Sequence, residues 1–437
     1  MSFSRIIATL IASALLAACG QGAIPAPTPE PAPASVVAEE KIHLTMWMIT
    51  SHIEGIDSMI ESFQTDNPGV IIEVVGHSNE SLQHDLQLSA ANDTLPSMWF
   101  QWGGAFGGRY VDYGVVKDLT HFAAANNWDQ LFSPAALQLT TLHDQLAGIP
   151  LSLNILSVYY RRDIFEKLGL TPPTTMSEFH QVTETIAEAG IAPLNVASVP
   201  GWHIMRLLEG FIEYYAGPVL HDQLAALDVP WEGNAAIIDA FTTFERYAQS
   251  GFFQEGFITA HADDLSKVLY PGHAAMQIEG QWFDGMIAAD GRDLSLYGTF
   301  PFPVGGTNRM SGFVEIIQFN DDLSDEELEA AVAFVLYYLE PHNVAAFPGN
   351  YNLPLPIIGR EHEMPQEFTN VSKIMSSAAN NGTFTITDQA LPPIVTDALF
   401  RVQDYLAFGS MTPKDAAAFM QEAIESHFLL AFSDGIF

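Results

Sequence analysis

The sequence predicts an α/β protein with more than one domain. Strand-like and helical segments alternate from residue 41 to about residue 101, which is the pattern of a largely parallel sheet covered by helices. The chain has 437 residues, of which 48% are hydrophobic. It therefore has ample material for a buried core and is too long for one ordinary domain, so two domains are expected.

The amino terminus has the pattern of a lipoprotein signal peptide. Arg5 precedes an apolar run from Ile6 to Leu16, which is too short to span a bilayer comfortably. Small residues follow, and then Cys19, an arrangement that resembles the bacterial lipobox, in which the peptide is cut before the cysteine and the thiol is lipidated. The alternative is an ordinary signal peptide with a chance cysteine. We expect residues 1–18 to be removed and Cys19 to carry a lipid anchor.

Cys19 is the only cysteine, so no internal disulfide and no cysteine-based metal site can form. Prolines alternate from Pro25 to Pro33, which favours an extended polyproline II spacer. Residues 19–40 are therefore predicted to be a tether, and the folded part is predicted to begin near Lys41.

The charge balance excludes some partners. The chain has 52 acidic and 16 basic residues, and its formal net charge is −36. A surface this negative repels phosphates and anionic lipid headgroups, so nucleic acid is excluded as a partner. The excess of carboxylates suits a saline habitat, but it is equally compatible with an ordinary acidic, soluble protein.

The first part of the folded chain contains three strand patterns separated by two helical patterns. The strands are predicted at Ile42–Trp47, Val70–Val75 and Met98–Gln101, and the helices at Ile53–Phe63 and Leu82–Ala91. Ligands of such sheets lie beyond the carboxyl ends of the strands. The segments at those ends are Met48–His52, His77–Asn79 and Trp102–Phe106.

The rest of the chain is richer in helical patterns. Strands are predicted at Leu153–Tyr160 and Ala274–Ile278. A short helix at Arg162–Leu168 is closed by Gly169, and the next helix begins at a Thr175 or Ser177 cap and runs to about Ala189. Further helices are predicted at Met205–Tyr215, Ala235–Gln249, Leu328–Leu339, Thr396–Ala407 and Pro413–Phe428.

Four motifs in this order carry a family resemblance. They are Gly148–Leu151 with Val158–Leu170 and Pro172–Thr175, then Gly272–Trp282, then Phe300–Pro303, and then Gly312–Glu315. Over residues 41 to 430 the chain resembles the extracytoplasmic solute-binding proteins of carbohydrate ABC importers, the maltose-binding-protein-like group. It departs from the family pattern at Pro96-Ser97, where Pro-Asp is common, and at Arg161, where Asn is usual.

The resemblance implies a two-lobed, periplasmic-binding-protein-like fold of type II with hinge-crossing strands. The amino-terminal lobe would comprise residues 41–151 and 315–354, and the carboxyl-terminal lobe residues 152–314 and 355–437. A mono- or oligosaccharide would lie in the cleft between the lobes, and an ABC permease would read lobe closure. The resemblance further implies an extracytoplasmic, membrane-anchored monomer that needs no cofactor or metal.

Aromatic rings suit the faces of sugars, and amide or carboxylate groups suit their hydroxyls. We expect ligand contacts from four of the seven tryptophans, Trp282, Trp102, Trp47 and Trp202, each of which could instead belong to the core. Trp99 is predicted to lie in a strand core, and Trp128 and Trp231 at the surface or in packing. The predicted polar contacts are Gln101, Asn154, Gln281 and Glu315, with Asn350 and Tyr351 as weaker candidates. Each of the first four could instead form a hinge or turn hydrogen bond with the backbone.

Catalytic motifs are missing from the sequence. It has no Gly-x-Ser-x-Gly elbow and no P-loop, and His362-Glu363 lacks the second histidine of a metalloprotease helix. His77 and His84 could share a helix face, but they do not make a zinc pattern. Abundant carboxylates keep a glycoside hydrolase as a rival. A binding protein for a non-sugar solute, such as glycerol phosphate or a cation, is the other alternative.

Overall fold

The computed structural model describes residues 41–53, 55–306, 308–344, 356–358 and 367–433. Cys19, the proline-rich tether, Asn350, Tyr351 and His362 lie outside the described residues. The strands of the described part are β1 (Ile42–Ile49), β2 (Val70–His77), β3 (Met98–Trp102), β4 (Thr141–Leu142), β5 (Gln145–Leu146), β6 (Ile149–Arg161), β7 (Ala192–Leu194), β8 (Ala274–Gly280), β9 (Tyr297–Phe300), β10 (Met310–Phe319) and β11 (Thr383–Thr385).

The helices of the amino-terminal half are α1 (Ile56–Asp66), α2 (Asn79–Ala91), α3 (Gly104–Asp112), α4 (Thr120–Ala125), α5 (Trp128–Leu131), α6 (Pro134–Thr140), α7 (Arg162–Leu168), α8 (Met176–Glu188) and α9 (Trp202–Ala225). Those that follow are α10 (Ala235–Gln249), α11 (Ser266–Leu269), α12 (Phe283–Ala289), α13 (Asp325–Tyr338), α14 (Pro341–Val344), α15 (Thr369–Asn381), α16 (Thr387–Ala390), α17 (Pro393–Ala407) and α18 (Pro413–Ser433).

Local sequence explains where several of these helices begin and end. Helix α8 begins at a capping box. The Thr175 hydroxyl accepts from the backbone N–H of Glu178, and the Glu178 carboxylate accepts from the backbone N–H of Thr175. Helix α7 ends at Gly169, whose φ of 69° lies in the left-handed region. Helix α1 starts at Ile56 instead of the predicted Ile53, because Thr50–His52 form a 3-10 turn.

The main sheet has the strand order β2-β1-β3-β10-β6-β8-β7. Strand β1 pairs in parallel with β2 and β3, as predicted for the amino-terminal part. The centre of the sheet, which the alternation in residues 41–101 does not cover, is antiparallel, because β10 pairs antiparallel with both β3 and β6. The physical reason is that β6 and β10 pass through the middle of the sheet in opposite directions.

Two hydrophobic cores flank these central strands. All residues of β6 are buried; Leu151, Leu153 and Ile155 belong to the first core, and Leu156 and Val158 belong to the second. The strand thus carries the chain from one core to the other, as a hinge-crossing strand must. Two of the predicted lobe boundaries fall inside β6 and β10, and the third, at residues 354 and 355, lies outside the described residues. All three stay a prediction.

Helix α15 adds a detail to this division. Its residues Ile374 and Ala378 pack in the first core, although the sequence assigns this part of the chain to the second lobe. No helix among the described residues combines the length and the apolar character that a bilayer crossing requires.

Candidate functional site

Two of the predicted tryptophans contact the same buried arginine. Trp282 follows the end of β8, and Trp202 is the first residue of α9. The guanidinium carbon of Arg206 lies 4.5 Å from the ring centroid of Trp202 and 5.5 Å from that of Trp282. Both rings are half-buried, so each keeps accessible surface. The two cation–π contacts hold the rings and the guanidinium together.

Two residues of β8 hold the Arg206 side chain by hydrogen bonds. Its Nη1 atom donates to Oε2 of Glu279 at 2.7 Å and to the carbonyl of Ile278 at 3.0 Å. Burial raises the pKa of Glu279, but Arg206 and His203 outweigh burial and bring the pKa down to about 2. Glu279 is therefore ionised at every physiological pH, and it forms a neutral pair with Arg206.

His203 completes this group. Its Nε2 lies 3.2 Å from Oε1 of Glu279, and burial lowers the His203 pKa more than the carboxylate raises it. The ring is therefore neutral, and Nε2 carries the proton because it faces a carboxylate. The other ring nitrogen, Nδ1, is then an acceptor.

The structure joins three of the predicted polar residues in one network across the hinge. Ser152 Oγ donates to Glu315 Oε2 at 2.8 Å, and Asn154 Nδ2 donates to Ser152 Oγ at 2.7 Å. Gln281 Nε2 donates to Asn154 Oδ1 at 2.8 Å, which links the end of β8 to both crossing strands. His52 Nε2 lies 3.4 Å from Glu315 Oε2.

Most of this network is inaccessible. Asn154, Gln281 and Glu315 are all buried, and Gln281 Oε1 also accepts from the backbone N–H of Ile155 at 2.8 Å. Burial raises the pKa of Glu315, but His52 and Ser152 outweigh it, so the net shift of the pKa is downward. Gln281 makes the backbone hydrogen bonds that were the alternative for it, whereas Asn154 and Glu315 bond to side chains. Ligand contact by these three residues stays a prediction.

The amino-terminal candidates lie in two places. Trp102 is paired in register with Glu315 and packs edge-on against Phe100, with a centroid separation of 5.1 Å, so it adjoins the hinge network. Gln101 is buried and accepts from Gln83 Nε2 at 2.9 Å. Trp47 instead packs against the ring of His77 at 4.8 Å. Trp99, Trp128 and Trp231 are buried in the cores.

A cavity of about 970 Å³ opens between the two sets of core elements. Helix α3 and the β4–β5 hairpin line one side of it, and the ends of α9 and α18 with α16 and the start of α17 line the other. Its charged and histidine side chains are Arg109, Asp112, His143, His221, Asp222 and His427. The volume is that of a ligand site for a sizeable molecule. None of the predicted tryptophans lines it.

Helix α16 adjoins both the cavity and the tryptophans. Gln389 lines the cavity, and its neighbour Asp388 lies close enough to Arg206 for the guanidinium to lower the pKa of the Asp388 carboxyl. Burial has the larger effect and raises the Asp388 pKa to about 6. Among the described residues, no three His, Cys, Asp or Glu side chains gather in a way that could hold a metal ion.

Sequence reasoning missed Arg206, Glu279 and Asp388. A signal for the first two was present, since Arg206 and Glu279 interrupt runs of apolar residues that are otherwise buried. A charged group in such a run is rarely buried unless it is paired or functional. Asp388 carries no such signal, because it lies in a short polar segment whose position depends on the tertiary fold.

Comparisons with known proteins agree with this geometry. The sequence profile of the family described as bacterial extracellular solute-binding protein matches residues 58–358. An uncharacterized ABC transporter extracellular-binding protein of Pyrococcus horikoshii is 25% identical over 304 residues, which are 68% of this chain and 70% of that protein. A lactose-binding protein of Rhizobium radiobacter is 21% identical over 304 residues, 66% of this chain and 64% of that protein.

Solved structures show the same fold at low sequence identity. A chitin oligosaccharide binding protein has a TM-score of 0.77 at 20% identity, and the match covers 89% of this chain and 99% of that one. A solute-binding protein in complex with raffinose has a TM-score of 0.69 at 17% identity, with 88% of this chain and 100% of that one covered.

Proposed function

The chain belongs to the bacterial extracellular solute-binding proteins, and we propose that it binds a carbohydrate between its lobes and delivers it to the permease of an ABC importer. The observation that carries the carbohydrate assignment is the pair of half-buried rings, Trp202 and Trp282, which both lie within cation–π distance of Arg206. Flat rings that keep accessible surface can match the C–H faces of pyranose rings.

The named relatives support a sugar as the ligand. The protein of Rhizobium radiobacter is described as lactose-binding. Two proteins with the same fold are described as binding chitin oligosaccharide and as being in complex with raffinose. Their identities to this chain are too low to transfer a particular sugar, so the proposal is limited to the carbohydrate class.

Binding would be coupled to closure at the crossing strands. A ligand that contacts both lobes only when they are closed shifts the population toward the closed state, which the permease would recognise. Glu315 on β10 and Asn154 on β6 share a hydrogen-bond network through Ser152. This network joins β6 and β10, the two paired strands that would pass between the lobes. We propose that it keeps these strands in register at the hinge.

We further propose that the mature protein is a monomer anchored outside the cytoplasm by lipid on Cys19. The proline-rich tether would separate the folded part from the membrane. The bound sugar would be released unchanged. These proposals rest on the lipobox-like sequence and on the family, whose members are binding proteins.

A thermal-melt screen tests the assignment. The soluble form of residues 20–437 would be mixed with mono- and oligosaccharides, and with glycerol phosphate, polyamines and amino acids as controls. At about 100 times the dissociation constant, a bound ligand stabilises the protein by about 2.7 kcal/mol. We expect a shift with one class of sugar and no product in the mixture. A shift with a control compound alone would overturn the carbohydrate assignment, and product formation would favour a glycoside hydrolase.

A further inference from the structure

Several buried polar atoms around α16 lack a hydrogen-bond partner. Within the part of the chain that the structure describes, no partner lies within reach of Oδ1 of Asp388, Oε1 of Gln389, Nε of Arg206 or Nδ1 of His203. Buried polar atoms are nearly always paired with protein, water or ligand. The four atoms without a partner lie on two neighbouring helices, α9 and α16. Their grouping is what a binding site for an external molecule would produce, because a bound molecule can supply the partners that the protein does not.

One of these residues lines the cavity, and another is its neighbour in the chain. Gln389 is only 6% exposed, and it lines the interlobe cavity together with Gly104 of α3. Asp388 is half-buried as a residue, but its Oδ1 atom is fully covered. The segment is held firmly, because the backbone N–H of Thr387 donates to Oε2 of Glu209 at 2.8 Å.

The unpaired atoms are mostly acceptors. Carboxylate and amide oxygens can only accept, and Nδ1 of His203 accepts because Nε2 donates to Glu279. Among these four atoms, Nε of Arg206 is the donor. A molecule that satisfies this set must therefore bring several O–H or N–H donors and few acceptors. Sugar hydroxyls meet this requirement, whereas a carboxylate, which brings acceptors alone, does not.

The charges near these atoms also favour a neutral ligand over an anionic one. The positive charge of Arg206 is already matched by Glu279, with 2.7 Å between Nη1 and Oε2. Asp388 then adds a negative charge that lacks a cation of its own. Glu209 lies one helical turn from Arg206, and burial raises its pKa to about 7, so it carries further partial negative charge near neutral pH. An anionic ligand would be repelled here at short range and in a poorly solvated site.

We propose that Asp388 and Gln389 determine the specificity of the carbohydrate cleft, accepting hydrogen bonds from sugar hydroxyls and selecting neutral sugars over sugars that carry a carboxylate. This inference rests on the proposed carbohydrate function. It narrows the expected ligand to neutral sugars. It also assigns hydrogen bonds with the ligand to Asp388 and Gln389, which were not among the residues predicted from the sequence.

The first test uses matched sugars and isothermal titration calorimetry at pH 8. The probes are neutral sugars and their uronate counterparts, starting with glucose against glucuronate, galactose against galacturonate, and xylo-oligosaccharides with and without a glucuronate branch. We expect the neutral member to bind at least tenfold more tightly. Equal or tighter binding of a uronate would overturn this inference and leave the carbohydrate function intact. Binding of no sugar of either kind would overturn both.

The second test changes the residues. Asp388→Asn keeps the shape, removes the charge and adds a donor, so we expect the preference for the neutral sugar to fall to threefold or less. The same substitution at Asp397, which is exposed on the next helix, should leave the preference unchanged. Gln389→Ala should weaken binding of the neutral sugar about tenfold. Folding of each variant is checked by its thermal melt. An unchanged preference in folded D388N, or unchanged affinity in folded Q389A, would contradict the assigned roles.

Discussion

The Nη1 atom of Arg206 lies 2.7 Å from Oε2 of Glu279, and both residues are only 7% exposed. A buried pair of this kind is costly to break, because removing one partner leaves the other charge in a poorly solvated place. The same pair positions the guanidinium within cation–π distance of both tryptophan rings. Glu279 thereby supports the candidate site without needing to contact a ligand.

Substitution of Glu279 by Gln should therefore destabilise the fold strongly. We expect the free energy of unfolding to fall by about 3–5 kcal/mol, as for other broken buried pairs. Chemical denaturation followed by tryptophan fluorescence measures this. The control is Lys267→Ala, which removes an exposed ion pair with Asp264 and should cause no measurable change. A small effect of E279Q would mean that Arg206 finds another partner or water.

Trp282 is expected to be a stacking ring for the ligand. Trp282→Ala should weaken carbohydrate binding by roughly 1–3 kcal/mol, as the loss of an aromatic hot spot does. The affinity of Trp282→Phe should lie between those of Trp282→Ala and the wild type, because phenylalanine keeps a smaller ring. Calorimetry with the sugar found in the melt screen gives the affinity. Trp231→Phe serves as the control, since Trp231 is buried in the second core, and it should lower stability while leaving affinity unchanged. Unchanged affinity in folded W282A would make Trp282 a core residue.

The sequence predicts those elements whose contacts join residues close together in the chain, and it predicts poorly those whose contacts join distant residues. Helix α8 was predictable because its capping box lies within a few residues, and β1 and β2 were predictable from β-branched and apolar runs. The antiparallel centre of the sheet was not, because the pairing of β10 with β6 joins residues far apart in the chain.

The candidate site divides in the same way. Trp202 and Trp282 could be named from motifs, since each follows a strand or a Pro-Gly turn. Their common neighbour Arg206 could not be assigned to them, because its contact with Glu279 spans two elements. Asp388 and Gln389 depend on the placement of α16 against α9, which local sequence does not encode.

Glu209 should make stability depend on pH. Burial raises its pKa from 4.5 to about 7, so the folded protein holds a proton that the unfolded chain releases. Its stabilising contribution is complete below pH 4.5 and is lost as the pH rises toward 7. Glu209→Gln, which cannot ionise, should therefore be more stable relative to wild type at pH 8 than at pH 4.5, by up to about 3 kcal/mol. Denaturation of both proteins at the two pH values measures this, and an equal difference at both would contradict the prediction.

The lipid anchor can be tested by cell fractionation. Cys19→Ser removes the only thiol that could be acylated, so the variant should leave the membrane fraction and appear in the soluble fraction. Ser13→Ala lies in the apolar run of the signal peptide and should remain with the membranes. Membrane retention of the C19S variant would contradict the lipobox interpretation and would leave an uncleaved leader as the anchor.

Closure of the lobes should depend on Gly104. A Cβ atom at this position would lie 2.1 Å from the carbonyl oxygen of Gln389, so Gly104→Ala cannot keep the observed contact between α3 and α16. Gly104 also has a φ of 63°, which costs an alanine roughly 1–2 kcal/mol by itself. Gly233→Ala controls for that cost, because Gly233 has a φ of 69° and no described atom lies within 4 Å of the added Cβ. We expect both variants to lose similar stability, but only G104A to lose tenfold or more in ligand affinity and to stay expanded in small-angle scattering with sugar present. Equal affinities of the two variants would show that the contact is not needed for closure.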